Sequence, residues 1–310
     1  MSAQATVDVP TYPGFGPAQW IDVDGIRTWY ADRGSGPTIV LVYGGNAGPP
    51  TSGGGVCAMV WSETFQRLSR FARVIVYDRP GNGYSSAPER DEDFTMAFNV
   101  AHLIGFLEAL ELEPVHLIGH SRGGFLTTRA TLLRQDLVRS LTIVTSGTLG
   151  PGVPMNAVAL SGNPHSPYGM EGMLWVHERY SYGTEHVTEE WMAPFVDHMA
   201  DEPYRRMLER ITRQRLLERF FRPGLAADKR ETLRWLEEGR LQRPTQIVWG
   251  RTDRTVPVKL GFDLFDIVAG KGTPVTLSVV DKSGHFPYRE HPQWFDDTVR
   301  DFVAEVEKDA

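Results

Sequence analysis

The stretch that most constrains this chain is Val115-His-Leu-Ile-Gly-His-Ser-Arg-Gly-Gly124. An apolar run, Val115 to Ile118, passes directly into Gly119-His120-Ser121-Arg122-Gly123, and a helix-like segment, Phe125 to Leu133, follows. A chain that turns this sharply from strand to helix holds its central residue in a strained conformation, and only small residues two positions before and after it leave room. Gly119 and Gly123 occupy those positions. The turn then presents the Ser121 hydroxyl at the C-terminal end of a sheet, where ligands of α/β proteins bind. The next helix offers backbone N–H groups and the positive end of its dipole to a developing oxyanion. Ser121 is therefore the candidate nucleophile.

Such an elbow belongs in a mostly parallel sheet wrapped by helices, and the flanking sequence reads that way. Trp20 to Val23 and Ile26 to Ala31 bracket an Asp24-Gly25 hairpin turn. Thr38 to Val42 and Val74 to Tyr77 are continuous apolar runs, as in strands buried on both faces. An amphipathic helix is predicted over about Phe94 to Leu110. Strands return at Thr245 to Trp249 and Val275 to Val280, and Gln293 to Val306 reads as a closing helix. Between them the β signal disappears. The expected architecture is a core of residues 1–147 and 239–310 with a helical lid, 148–238, inserted through the Gly/Pro-rich link Gly147 to Pro154.

A serine hydroxyl needs a base, and the base needs an orienting group. In this architecture the chain order is serine, acid, histidine. Asp253 follows the strand Thr245 to Trp249, and His285 follows the last strand in Ser283-Gly-His285. All three candidates thus sit on loops at one edge of the sheet. The other histidines fit less well: His116 lies inside a strand, and His120 should point away from the hydroxyl. His165, His177, His186 and His198 belong to the lid, and His291 opens the last helix. The oxyanion donors are assigned to the N–H groups of Gly45, in the Gly-rich loop Tyr43-Gly-Gly-Asn-Ala-Gly-Pro-Pro50, and of Arg122. Asn46 of that loop is placed at the substrate. The Arg122 side chain starts beside the reacting carbonyl, so it either clamps a substrate carboxylate or pairs with a core acid or solvent.

Composition narrows the partners. A net charge of −7 with scattered basic residues argues against nucleic acid. The densest basic cluster, Arg205 to Arg219, alternates with apolar positions and reads as a solvated helix face. No apolar window is long enough to span a bilayer. The first residues, up to Gln19, carry no signal-peptide pattern and read as a loose arm. A single cysteine, Cys57, excludes an intrachain disulfide and reads as a small loop residue rather than a catalytic thiol. The expectation is a cytoplasmic enzyme acting on a small molecule, with no cofactor and no metal. A homo-oligomer is compatible with the sequence but not specified by it.

Over nearly its whole length the chain resembles the α/β-hydrolase superfamily, on Gly119-His-Ser-Arg-Gly-Gly124, Asp78-Arg-Pro-Gly-Asn-Gly-Tyr-Ser85, Gly250-Arg-Thr-Asp253 and Ser283-Gly-His285. Within it the chain is similar to meta-cleavage-product hydrolases and their esterase relatives. Those share an acid loop and a histidine segment that stand here as Gly250-Arg-Thr-Asp-Arg254 and Gly284-His-Phe-Pro-Tyr-Arg-Glu-His291. The resemblance also exposes departures. Tyr43 replaces the histidine that opens the Gly-rich loop. His120 stands where the C–C hydrolases carry Asn. Phe195 or a neighbour aligns with a lid arginine that grips the dienoate, and Phe286 stands where Trp is common. With the lid residues Trp175 and Met192, Phe195 and Phe286 are assigned to the substrate pocket. These departures, and Arg122, point to a serine carboxylesterase for an ester whose acid part keeps a free carboxylate. A monoalkyl phthalate is the expected substrate. C–C hydrolysis of a meta-cleavage product is the first alternative, and a non-catalytic binding protein on the same fold the second.

Overall fold

The computed structural model describes residues 10–45, 47–48 and 56–308. Eight strands form one sheet: β1 (Ala18–Val23), β2 (Ile26–Arg33), β3 (Thr38–Val42), β4 (Arg73–Tyr77), β5 (Val115–His120), β6 (Val138–Val144), β7 (Thr245–Gly250) and β8 (Val275–Val280). Their spatial order is β1-β2-β4-β3-β5-β6-β7-β8. β2 is antiparallel to both neighbours, and every other pairing is parallel. The hairpin between β1 and β2 turns at Asp24 and Gly25, with φ of 50° and 84°. Two successive left-handed residues are what a tight twisted hairpin requires.

Burial follows pairing. Every residue of β5 and β7 is buried, whereas β8, at the edge, is only half-buried. The chain runs from β3 outward to β4, then back across β3 to β5. The order therefore reverses at β3, and loops leaving β3 and β5 diverge around a crevice at the C-terminal ends of the strands. The Met96–Ala109 helix that makes this crossover begins at Thr95, whose side chain accepts the Phe98 N–H.

Two expectations change. β6 was not anticipated, because Arg139, Ser140 and Thr142 interrupt its apolar run. Ser140 and Thr142 are nevertheless buried, and the Ser140 hydroxyl lies 2.7 Å from His116 Nδ1, a partner on the neighbouring strand. The second half of the N-terminal arm is not loose. Tyr12 and Phe15 are buried against Trp29, and Trp29 Nε1 donates to the Pro10 carbonyl at 2.7 Å.

The lid enters between β6 and β7. It carries helices Asn156–Ala159, Met170–Tyr180, Glu189–Ala200, Glu202–Arg213 and Arg222–Glu237, with a π-helical turn at Leu217–Phe221. It is pinned to the core by the Tyr204 hydroxyl on the Gly48 carbonyl (2.8 Å) and the Gly83 N–H on His198 Nε2 (3.0 Å). Arg205, Arg206, Arg213 and Arg219 face solvent, as the alternation implied. Among the described residues no helix is long and apolar enough to cross a membrane.

Candidate active site

Ser121 sits at φ 54°, ψ −121°, between β5 and the helix Arg122–Leu133. The close approach of these elements explains the glycines. A methyl on Gly119 would lie 2.4 Å from the Gly123 carbonyl oxygen, and one on Gly123 would lie 2.3 Å from that of Val42. The strained turn is over-determined by hydrogen bonds: Ser121 N–H donates to Val144 (2.8 Å), and the Ser146 hydroxyl donates to the Ser121 carbonyl (2.6 Å). The unanticipated strand β6 thus braces the elbow.

Asp253 is held by its own turn. Its Oδ1 accepts from Thr255 N (2.9 Å), Thr255 Oγ1 (2.7 Å) and Val256 N (2.8 Å). Its Oδ2 lies 2.7 Å from His285 Nδ1. With Nδ1–H given to a carboxylate, Nε2 is the ring nitrogen left to accept a proton. The His285 backbone is clamped as tightly. Its N–H donates to the Tyr180 carbonyl (2.7 Å), and its own carbonyl accepts from Thr145 Oγ1 (3.0 Å) and His120 Nε2 (2.9 Å). A donor at Nε2 makes His120 Nδ1 the acceptor for the Tyr288 hydroxyl, 3.3 Å away. Burial holds the His120 pKa well below that of free histidine, with the neighbouring His285 adding to the depression. His120 is thus a neutral brace behind His285 rather than a second base.

The Gly-rich loop after β3 passes against Ser121: a methyl on Gly44 would lie 2.7 Å from Ser121 Cβ and 3.3 Å from its Oγ. Gly45 follows at φ 71°. Arg122 opens its helix, at the end where backbone N–H groups point out along the axis. The Arg122 guanidinium lies 5.6 Å over the Phe221 ring, the last residue of the π-helical turn. Burial lowers its pKa to about 10, Tyr180 opposes this, and Arg79 and Arg222 add to it. At neutral pH it remains a cation inside the lid–core boundary.

The remaining assigned residues divide. Phe286 stacks on His177 with ring centroids 5.7 Å apart and also touches His285, Tyr180 and Trp191. Phe195 joins the same aromatic cluster through His177 and Trp191, and Met192 is fully buried on the same helix. Trp175 is not brought to His285. Two helical positions from His177, its side chain points roughly 200° away, and its ring carries the Arg179 guanidinium at 3.5 Å. Asn46 lies outside the described residues. Cys57 is buried and its thiol is pushed well up by burial, as for an inert side chain. Among the described residues no group of three or more His, Cys, Asp or Glu side chains could hold a metal.

Sequence reasoning missed three participants. Tyr180 packs its ring 4.9 Å from that of His285 and is anchored by Asn156, whose Nδ2 donates to its hydroxyl at 2.9 Å. Glu290 accepts the Gly284 N–H through Oε1 (2.8 Å) and the Tyr182 N–H through Oε2 (2.8 Å), tying the histidine loop to the lid. Arg79 Nη2 donates to the Gly44 and Gly45 carbonyls of the Gly-rich loop. Glu290 and Arg79 left a signal, in the Gly-His-x-x-x-x-Glu-His segment and the Asp78-Arg-Pro-Gly-Asn-Gly-Tyr-Ser85 motif, whereas Tyr180 left none.

A family model described as the alpha/beta hydrolase fold matches residues 37–292. A 2-hydroxy-6-oxononadienedioate/2-hydroxy-6-oxononatrienedioate hydrolase of Paraburkholderia phymatum is 27% identical, covering 90% of this chain and 92% of the relative. A 2-hydroxymuconate semialdehyde hydrolase from a Pseudomonas strain is also 27% identical, over 91% and 92% of the two chains. The solved structure of a meta-cleavage product hydrolase from Pseudomonas fluorescens superposes with a TM-score of 0.74 at 25% identity, covering 93% of this chain and 98% of that one. These relatives match the C–C hydrolase alternative; none of them is a phthalate monoesterase by name.

Proposed function

Because the chain belongs to the α/β-hydrolase family and is a serine hydrolase, we propose that it cleaves a carbon–carbon bond in an anionic meta-cleavage product. Ser121 is the nucleophile, His285 its base and Asp253 the orienting acid. The Ser121 oxygen attacks the ketone carbonyl while His285 Nε2 takes its proton. The N–H groups of Gly45 and Arg122 receive the oxyanion, each donor supporting about 3 kcal/mol of transition-state stabilisation. Collapse of the tetrahedral species breaks the C–C bond. In the vinylogous 1,5-diketone form of the substrate, the electron pair passes through the adjoining C=C bond onto the distal ketone oxygen, giving a dienolate that His285 protonates, and water then releases the acyl group. A carbanionic leaving group needs a cation at its carboxylate end. The observation that carries the reading is the Arg122 guanidinium, set inside the lid–core boundary one residue from the nucleophile.

The second reading is ester hydrolysis with a carboxylate on the acid part, as in a monoalkyl phthalate. It is supported by His120, which braces His285 where the C–C enzymes carry Asn, and by Phe195, buried among aromatic rings rather than offering a cation. Both readings use the same residues. A panel of a ring-fission dienoate, a monoalkyl phthalate and p-nitrophenyl acetate separates them. The expected result is a kcat/KM on the dienoate at least about 10²-fold above that on the phthalate. The reverse ranking selects the ester reading, and a Ser121→Ala enzyme that still turns over removes both.

A further inference from the structure

One buried cation stands beside the reaction centre without belonging to the triad. Arg79, two residues past β4, is 1% exposed. Its Nη2 donates to the carbonyl oxygens of Gly44 (2.7 Å) and Gly45 (2.8 Å). A trans peptide is planar, so the N–H of one residue points opposite the carbonyl of the residue before it. With the Gly44 oxygen turned onto Arg79, the Gly45 N–H must face the other way. Gly44 itself abuts Ser121.

Tyr43 completes the arrangement. Its ring lies 4.7 Å beneath the Arg79 guanidinium, and its hydroxyl accepts the Arg79 backbone N–H at 2.9 Å. The tyrosine that departs from the family's opening histidine is thus the floor on which this arginine rests. Arg79 Nε and Nη1 are buried with no hydrogen-bond partner among the described residues. Burying a cation with two unmet donors is costly. An apolar side chain in its place would remove that cost but release both carbonyls.

We propose that Arg79 is the positioning residue of the oxyanion loop. It fixes the Gly44 and Gly45 carbonyls so that the Gly45 N–H is aimed at the reacting oxygen, and it places a positive charge behind that peptide dipole. The proposal rests on Ser121 being the nucleophile. Because the oxyanion exists only after attack, the contribution belongs to the transition state and not to substrate binding.

The test compares Arg79→Met and Arg79→Lys with the wild-type full chain. Three quantities are read: pre-steady-state acylation by a p-nitrophenyl ester, KM, and affinity for a phenylboronic acid, whose serine adduct mimics the tetrahedral species. For Arg79→Met, acylation is expected to fall about 10²-fold with KM within about threefold, and boronate affinity to fall in step. Arg79→Lys, able to hold one carbonyl and keep the charge, should lie between. Acylation kept within about threefold in Arg79→Met overturns the proposal, as does an Arg79→Lys that is slower than Arg79→Met. So does slower acylation with undiminished boronate affinity, which marks a merely structural role. If Arg79→Met does not fold, Arg79→Lys decides by the same readings. Turnover by Ser121→Ala would sink the nucleophile reading as well, whereas an inactive Ser121→Ala beside a fully active Arg79→Met sinks this proposal alone.

Discussion

At Ser121 and Asp253, chemistry depends on backbone as much as on side chains. Ser121 is a non-glycine residue at positive φ, a conformation kept only by the hydrogen bonds from β6 and the close packing around Gly119 and Gly123. At Asp253 the two carboxylate oxygens have different tasks, one filling three donors of its turn and the other taking the His285 proton donor. That division predicts the outcome of Asp253→Asn. The amide oxygen would stay with Thr255 and Val256, its NH2 would face Nδ1, and His285 would be forced into the tautomer with Nε2 protonated. Turnover should fall about 10³- to 10⁴-fold with little change in KM, as measured by steady-state kinetics on any accepted ester. The identities of Ser121, Asp253 and His285 as candidates were legible because each follows an apolar strand in the expected chain order. The braces at His120, Thr145, Ser146 and Tyr180 were not, since nothing in local sequence says which loop a hydroxyl or ring will meet.

Among the elements, the loops after β7 and β8 and the end of the helix Met170–Tyr180 work as one unit. A methyl on Gly250 would lie 2.0 Å from the Gly284 carbonyl oxygen, and one on Gly284 would lie 2.4 Å from that of Tyr180. Glu290 then closes the unit by accepting N–H groups from both the histidine loop and the lid. Glu290→Gln keeps one acceptor oxygen and must present NH2 to one of those donors. It should lower kcat about tenfold and reduce stability by about 1–3 kcal/mol, read from urea midpoints at constant m-value. Gly250→Ala should do more harm, with a loss of about 2–4 kcal/mol, because backbone on the opposing loop cannot step aside. The strands were readable from their apolar runs, β6 excepted. The lid was readable as helical, but not which faces of its helices meet the core: Trp175 and His177 differ by two positions and point to opposite sides.

For the whole molecule, the histidines set the acid limit. Burial depresses His102 to about 4 and His177 to about 4, and holds His120 well below the ordinary histidine value. Each stays neutral in the fold while the unfolded chain takes up its proton below about 6.5. The unfolded state then binds more protons, so stability is present above that pH and is lost as pH falls toward the folded values. These three alone remove about 4 kcal/mol per pH unit. Asp78 works in the opposite sense: burial raises its carboxyl from 3.8 to about 6, so its contribution is present at low pH and lost as pH rises to about 6. Histidines outnumber it, and a fold at the low end of the usual range of about 5–15 kcal/mol should unfold cooperatively between about pH 6 and 4. Near-UV circular dichroism across that range checks this; a flat signal down to pH 4 would contradict the burial of these rings.

By itself the sequence determined the architecture and the candidate nucleophile, acid and base, because those depend on periodicity, small residues at a steric pinch and chain order. It left open what surrounds them. Tertiary structure decided that Tyr43 and Arg79 form one device, that the Arg122 guanidinium lies over the Phe221 ring of the lid, and that β6 and the residues just after it hold the Ser121 elbow in its strained turn. Tyr43 and Arg79 are 36 positions apart, Ser121 and Ser146 25, and Arg122 and Phe221 99, so contact is set by packing and not by neighbourhood in the chain. The preference between a C–C bond and an ester lies at that same level. It depends on the side chains that line the site, and the Ser121 elbow is common to both.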